Sequence, residues 1–274
     1  MAEPPVIHPL LEPFRMMRNH RPEGGGAPMI LEGPALLRRA LEAGLTPSCV
    51  LCERGKHKDL LHSLESRIPL FEESAETIAA LCGFNFHRGI LATAPCPELP
   101  DRLDSLTAGP VPLLVLPEIN DAENLGSLLR AAAAFGVPAV LLGERCTTPF
   151  NRRSLRVSMG AAFELRLVHC RNLARELERL RELGLVLLGS SARQGQPPRS
   201  LELAPERPCA LLVGNEGQGL SPESMAACDH LLRIPMSSRV SSLNVAMATG
   251  ILLYDLANRC AGPSPHLPPA AMPG

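Results

Sequence analysis

Short apolar runs alternate with amphipathic stretches along most of this chain, and their two periods separate strands from helices. ALLRRALEAG (35–44) carries apolar residues at helical spacing and stops at Gly44, whereas SCVLCE (48–53) reads as a buried strand. A helix over 58–66, a strand IPLF (68–71), a helix over 74–81 and a strand GILATA (89–94) follow. Residues 29–96 are thus expected to form a small α/β domain.

Pro95, Pro97, Pro100, Pro110 and Pro112 flank a short charged segment, which places an interdomain linker at 97–110. Beyond it the alternation becomes regular. LLVL (113–116), AVLL (139–142), FELRLV (163–168), LVLLGS (185–190), CALLVG (209–214) and LLRI (231–234) read as strands. Helices are expected over 124–135, 152–159, 172–183, 222–227 and 242–259. Continuous apolar strands separated by helices predict an α/β fold with a mostly parallel sheet covered on both faces, here over 111–261. Ligands of such sheets sit beyond the carboxyl ends of the strands. Residues 1–28 mix Pro, Gly and charge and predict a flexible arm, and the Pro-rich run over 262–274 predicts a disordered tail.

The chain has 274 residues, 45% hydrophobic and 20% charged, enough for one large domain or two modest ones with proper cores. No apolar run is long enough to span a bilayer, and the N-terminus lacks the basic-then-apolar order of a signal peptide, so a cytoplasmic location is expected. Nine cysteines at irregular spacing argue against a disulfide framework. The one C-x-x-C, Cys49 and Cys52, falls on a strand where an odd separation points the two to opposite faces, so both read as small buried hydrophobes. With no clustered histidines, no metal site is expected.

A net charge of -1 argues against a uniformly nucleic-acid-binding surface, but phosphate contacts need only a local patch. Of the 27 basic residues only Lys56 and Lys58 are lysines, leaving 25 arginines, whose planar fork suits phosphate. In FRMMRNHR, Arg15, Arg18 and Arg21 fall along one helical side, either a solvated face or an RNA-touching arm. Arg152, Arg153 and Arg156 form a second basic cluster, open to the same two readings.

Three segments carry candidate chemistry. Asn124-Leu125-Gly126 and Arg130 put an amide and a guanidinium on the opening turns of a helix. GNEGQG (214–219) follows an apolar strand and offers backbone amides with one carboxylate, Glu216. Ser242 and Asn244 stand at the start of the last helix, where a side chain either caps the helix or points into a pocket. The glycine spacing is G-x-x-G-x-G and comes late in the domain, which disfavours a nicotinamide-dependent oxidoreductase with an early G-x-G-x-x-G.

Taken together, DAENLGSLLRAAAAFGV, LLVGNEGQGLS and RIPMSSRVSSLNVAMATGILLYDL resemble the three motifs of the SpoU, or TrmH-like, family of the SPOUT superfamily, and RRSLRVSMGAAF resembles the segment between the first two. The region 30–94 is similar to the family's N-terminal substrate-binding domain, related to kink-turn-binding ribosomal proteins. The resemblance implies a trefoil-knotted α/β domain that works as a homodimer. It implies an S-adenosylmethionine-dependent RNA ribose 2'-O-methyltransferase, with ribosomal RNA favoured over transfer RNA as the partner. Carried over by motif position, Arg130 is the catalytic arginine, and Asn124, Glu216, Ser242 and Asn244 shape the site. Gly214, Asn215, Ile234, Met236 and Leu243 fall on or beside cofactor positions. Ala122, Ala246 and Arg166 stand where the family often has proline, serine and proline, none of them a core motif residue. A base methyltransferase and a non-catalytic RNA-binding or ribosome-assembly protein on the same fold are the competing readings.

Overall fold

The structure, a computed structural model, describes residues 8–15, 17, 28–64, 68–103, 111–204 and 207–260. Arg18, Arg21, most of the expected arm, residues 104–110 of the linker and the 262–274 tail lie outside the described residues. The chain packs into two units, one comprising the chain up to Glu98 with Thr148–Glu164, the other Leu99–Thr147 and the chain from Leu165 on.

The first unit holds β1 (Met29–Glu32), α1 (Pro34–Glu42), β2 (Cys49–Glu53), α2 (Lys58–His62), β3 (Leu70–Glu73), α3 (Ala75–Cys82) and β4 (Ile90–Ala94). Its sheet runs β1-β4-β2-β3, with β4 antiparallel to both neighbours and β2 parallel to β3. A 3-10 helix at Pro9–Phe14 precedes it, upstream of the helical piece expected at FRMMRNHR, and buries Leu11 and Phe14. Cys49 and Cys52 are both buried, as small hydrophobes on a strand should be.

The second unit opens with β5 (Leu113–Leu116) and α4 (Ala122–Ala134). Helix α4 starts two residues before the expected Asn124, because the Asp121 carboxylate accepts from the Glu123 and Asn124 amides and caps it. It buries Leu125, Leu128, Leu129 and Ala132, the i, i+3, i+4, i+7 stripe. After β6 (Val140–Leu142) come α5 (Arg152–Ser158) and a 3-10 turn at Ala161–Phe163, both within the stretch that belongs to the first unit. FELRLV is therefore not one strand: Phe163 ends the 3-10 turn and stacks on Phe150, and β7 covers only Leu167–His169.

The remaining elements are α6 (Leu173–Glu182), β8 (Val186–Ser190), β9 (Cys209–Leu212), α7 (Pro222–Ala226), β10 (His230–Leu232) and α8 (Val245–Cys260). The sheet runs β10-β8-β9-β5-β6-β7 with every pair parallel, as the uninterrupted apolar runs require. Helix α6 turns Leu177 and Leu180 onto this sheet beside Val168, Leu185 and Leu187. Each such leucine contributes about 1.5–3 kcal/mol by leaving water. No helix among the described residues is long and apolar enough to cross a membrane.

Candidate active site

The carboxyl ends of the three neighbouring strands β10, β8 and β9 open into one pocket of about 590 Å³. Its wall is built from the loop after β8 (190–194), the loop after β9 (213–220), the chain after β10 and the opening of α8. That is the position a parallel sheet offers, since its strands end there without partners for their last backbone groups.

The glycine-rich loop is a closed turn. The Asn215 side chain accepts from the Gly217 and Gln218 amides, at 3.1 and 2.8 Å, and Gly219 N–H donates to the Asn215 carbonyl at 2.9 Å. Gly214 is required by contact: a Cβ there would stand 2.0 Å from the Gly219 carbonyl carbon and 2.3 Å from the Leu220 nitrogen. The loop after β8 is held as firmly, because Ser191 Oγ accepts from the Arg193 and Gln194 amides and Gln196 pairs with Leu231 and Arg233 of the β10 segment. Gly195 has φ +114°, and a Cβ on it would meet the Leu231 carbonyl oxygen at 2.4 Å.

Gly214, Asn215, Glu216, Ile234, Met236, Ser242 and Leu243 all line this pocket. Asn244 does not; its side chain faces the other way and donates to Asn124 Oδ1 at 3.0 Å, tying the start of α8 to the start of α4. The same side chain accepts from the Ala246 and Met247 amides. Asn244 is thus the N-cap of α8, which begins three residues later than expected and leaves Ser242 free of that role. Arg130 is exposed on α4, lines no part of the pocket and forms no ion pair among the described residues.

The basic candidates divide. Arg152 is committed inside the first unit, with Nη1 2.6 Å from Glu32 Oε2 and its guanidinium over the Phe84 ring. Arg15 pairs with Glu12, while Arg153 is exposed and Arg156 half-buried on α5. Arg166 is half-buried just before β7, where its carbonyl accepts from Val140. Sequence reasoning missed the loop after β8, with Ser190, Ser191, Arg193 and Gln194, although it follows a strand end as the glycine turn does.

Chemically the pocket combines an apolar strip (Val213, Ile234, Met236, Leu243, Leu252), polar turn groups, and one cation and one anion, Arg193 and Glu216. This fits a compact ligand with a flat apolar part and a charged end, the character of S-adenosylmethionine. Among the described residues no cysteine lines the pocket, and burial pushes the Cys228 thiol, outside that lining, up to about 11. Among the described residues no group of His, Cys, Asp and Glu could hold a metal ion.

The model of the SpoU rRNA Methylase family matches residues 112–254. A Mycobacterium tuberculosis protein named as an uncharacterized tRNA/rRNA methyltransferase is 34% identical over 254 residues, 90% of this chain and 88% of its own. A 23S rRNA (guanosine-2'-O-)-methyltransferase of Ralstonia nicotianae is 32% identical over 202 residues, 72% of this chain and 80% of its own. Among solved structures, an AdoMet-bound rRNA methyltransferase from Sinorhizobium meliloti shares the fold, with a TM-score of 0.78 at 24% identity over 92% of this chain and 95% of that one.

Proposed function

The chain belongs to the SpoU rRNA methylase family, and on that premise we propose that it is an S-adenosylmethionine-dependent methyltransferase acting on ribose 2'-hydroxyls of ribosomal RNA. The observation that carries this reading is the pocket at the ends of β8, β9 and β10, into which seven of the motif residues converge. Ribosomal RNA is supported over transfer RNA by the Ralstonia relative's substrate.

S-adenosylmethionine supplies a methyl group on a cationic sulfur, a leaving group that departs neutral and needs no metal. Gly214 and Asn215 hold it through the closed turn, and Ile234, Met236 and Leu243 cover its apolar part. Glu216 presents its carboxylate at the pocket wall. Ser242, relieved of capping, contacts the ribose hydroxyl, and the Asn124–Asn244 pair fixes the two helix starts around it. Arg130 holds a phosphate next to the target ribose and stabilises the 2'-oxygen as its proton leaves. A guanidinium keeps its proton and is a poor proton acceptor, so the phosphate takes the proton. Most of the rate enhancement on this account is positioning.

The working unit is a homodimer. Met247, Ile251 and Tyr254, at i, i+4 and i+7 of α8, are 58%, 40% and 61% exposed, an apolar stripe suited to a second copy. Helix α8 packs on α4, and this supports Arg130 serving the partner's pocket across such an interface. The order β10-β8-β9-β5, with the loop after β8 bridged to β10 through Gln196, supports a trefoil-knotted course. The mixed four-stranded sheet of the first unit supports a ribosomal-protein-like RNA-presenting domain. A cytoplasmic location follows from the substrate.

The test is incubation with labelled S-adenosylmethionine and rRNA or tRNA, followed by mapping of alkali-resistant dinucleotides. Label in such dinucleotides from rRNA is expected, and RNA methylation without any alkali-resistant linkage refutes ribose transfer. Arg130→Ala should abolish transfer while leaving cofactor affinity unchanged.

A further inference from the structure

Among the described residues Arg193 is the one cation that lines the pocket, and none of its contacts in the fold accounts for it. Its backbone is anchored: its amide donates to Ser191 Oγ at 3.3 Å, and two residues on the chain passes Gly195, whose backbone lies against the Leu231 carbonyl. Its side chain forms no ion pair among the described residues, not even with Glu216, the one carboxylate among the lining residues. Some other arginines of the same unit are paired, Arg145 with Glu118, Arg179 with Glu176 and Arg181 with Asp229, but none of these lines the pocket. A guanidinium held at a pocket wall on a fixed loop, with its fork unfilled, presents a bidentate site for a planar anion.

We propose that Arg193 holds the α-carboxylate of the methionine part of S-adenosylmethionine, and that it thereby selects the intact amino acid end of the cofactor. The inference rests on the reading of this pocket as the cofactor site. An RNA phosphate is the competing anion, but Arg193 lies on the wall shared with Gly214–Leu220 and Ile234, where the cofactor itself would be enclosed. Of the two anions, the carboxylate is the one that belongs to that ligand.

The test compares binding of S-adenosylmethionine and of its decarboxylated form, by calorimetry without RNA, to the wild-type chain, Arg193→Ala, Arg193→Gln and Arg193→Lys. Arg193 is exposed on a loop, and the Gln variant keeps its length, so folding is not at stake. Loss of a charge-assisted pair at a partly solvated site should weaken S-adenosylmethionine about tenfold in the Ala and Gln variants. The Lys variant should lose about threefold, because it keeps the charge and loses the fork. Decarboxylated cofactor should bind the wild type about as weakly as S-adenosylmethionine binds Arg193→Ala, and should not sense the substitutions. Equal weakening of both ligands overturns the proposal, since Arg193 would then act by shaping the loop. Unchanged cofactor affinity with a raised KM for RNA also overturns it, in favour of a phosphate contact. Failure of the wild type to bind S-adenosylmethionine sinks the cofactor site itself, and with it this role.

Discussion

Replacing Gly214 with alanine adds one methyl group at the point where the glycine-rich loop closes on itself. The new Cβ would lie 2.0 Å from the Gly219 carbonyl carbon, 2.1 Å from its oxygen and 2.3 Å from the Leu220 nitrogen. Ordinary contact lies at about 3.5–4 Å, so the facing backbone must retreat by well over about 1 Å, and no side chain can rotate to absorb the change. That retreat strains or breaks the bonds that close the turn, from Gly219 N–H to the Asn215 carbonyl and from Gly217 and Gln218 to the Asn215 side chain. Overpacking of this kind costs about 1–3 kcal/mol, and each lost hydrogen bond about 1 kcal/mol more. Gly214→Ala should therefore lower stability by about 2–4 kcal/mol and weaken S-adenosylmethionine by well over an order of magnitude. Gly217→Ala, three residues on in the same loop, is the control. Its Cβ would meet only Asn215 Oδ1, at 3.7 Å, so stability and affinity should stay near wild type. Urea unfolding and titration calorimetry on both variants decide the matter. A Gly214→Ala protein that binds cofactor as well as Gly217→Ala does would refute the claim that this contact shapes the pocket.

Two further substitutions separate structural from functional roles. Arg152→Ala leaves the buried Glu32 carboxylate with only Arg88, 3.4 Å away and half exposed, and should cost about 2–3 kcal/mol in thermal unfolding; if stability holds and the salt dependence of RNA binding falls instead, Arg152 is the RNA contact that its position in a basic run suggests. Asn244→Ala removes both the cap of α8 and the bond to Asn124, for about 2 kcal/mol together, whereas Asn244→Asp keeps a capping oxygen and should lose about half as much in urea unfolding; equal losses would show that capping contributes little.

The elements that were legible are those whose own residues decide them. Parallel β5, β6, β8 and β9 are continuous apolar runs, and α4 and α6 carry their stripes in sequence, so periodicity alone locates them. What periodicity could not give is partnership at a distance. Arg152, Arg153 and Arg156 read as one basic surface, yet a carboxylate 120 residues upstream claims the first of them. FELRLV has the composition of a strand, but Gly160, at φ +85°, starts a 3-10 turn that consumes Phe163, and Phe150 then holds that ring in a stack. The placement of Thr148–Glu164 with the first unit depends on contacts of α5 with β1, and no local signal marks it.

The site divides along the same line, and the Ser242–Val245 run shows why. The sequence reading began the last helix at Ser242, where helical geometry would set Leu243 and Asn244 about 100° apart on one continuous surface. The helix in fact begins at Val245, with Asn244 as its cap. Before a cap the chain is not helical, and neighbouring side chains there can diverge to opposite sides. Leu243 and Val245 therefore enter the pocket wall while Asn244, between them, turns to Asn124 on α4. One residue thus ends the loop that encloses the cofactor site and fixes the helix whose later turns carry Arg130. Ser242, Leu243 and Val245 line the pocket and Asn244 alone of the four turns to α4, so a shift of the cap by a single position would take the amide away from Asn124 and bring a different side chain toward α4.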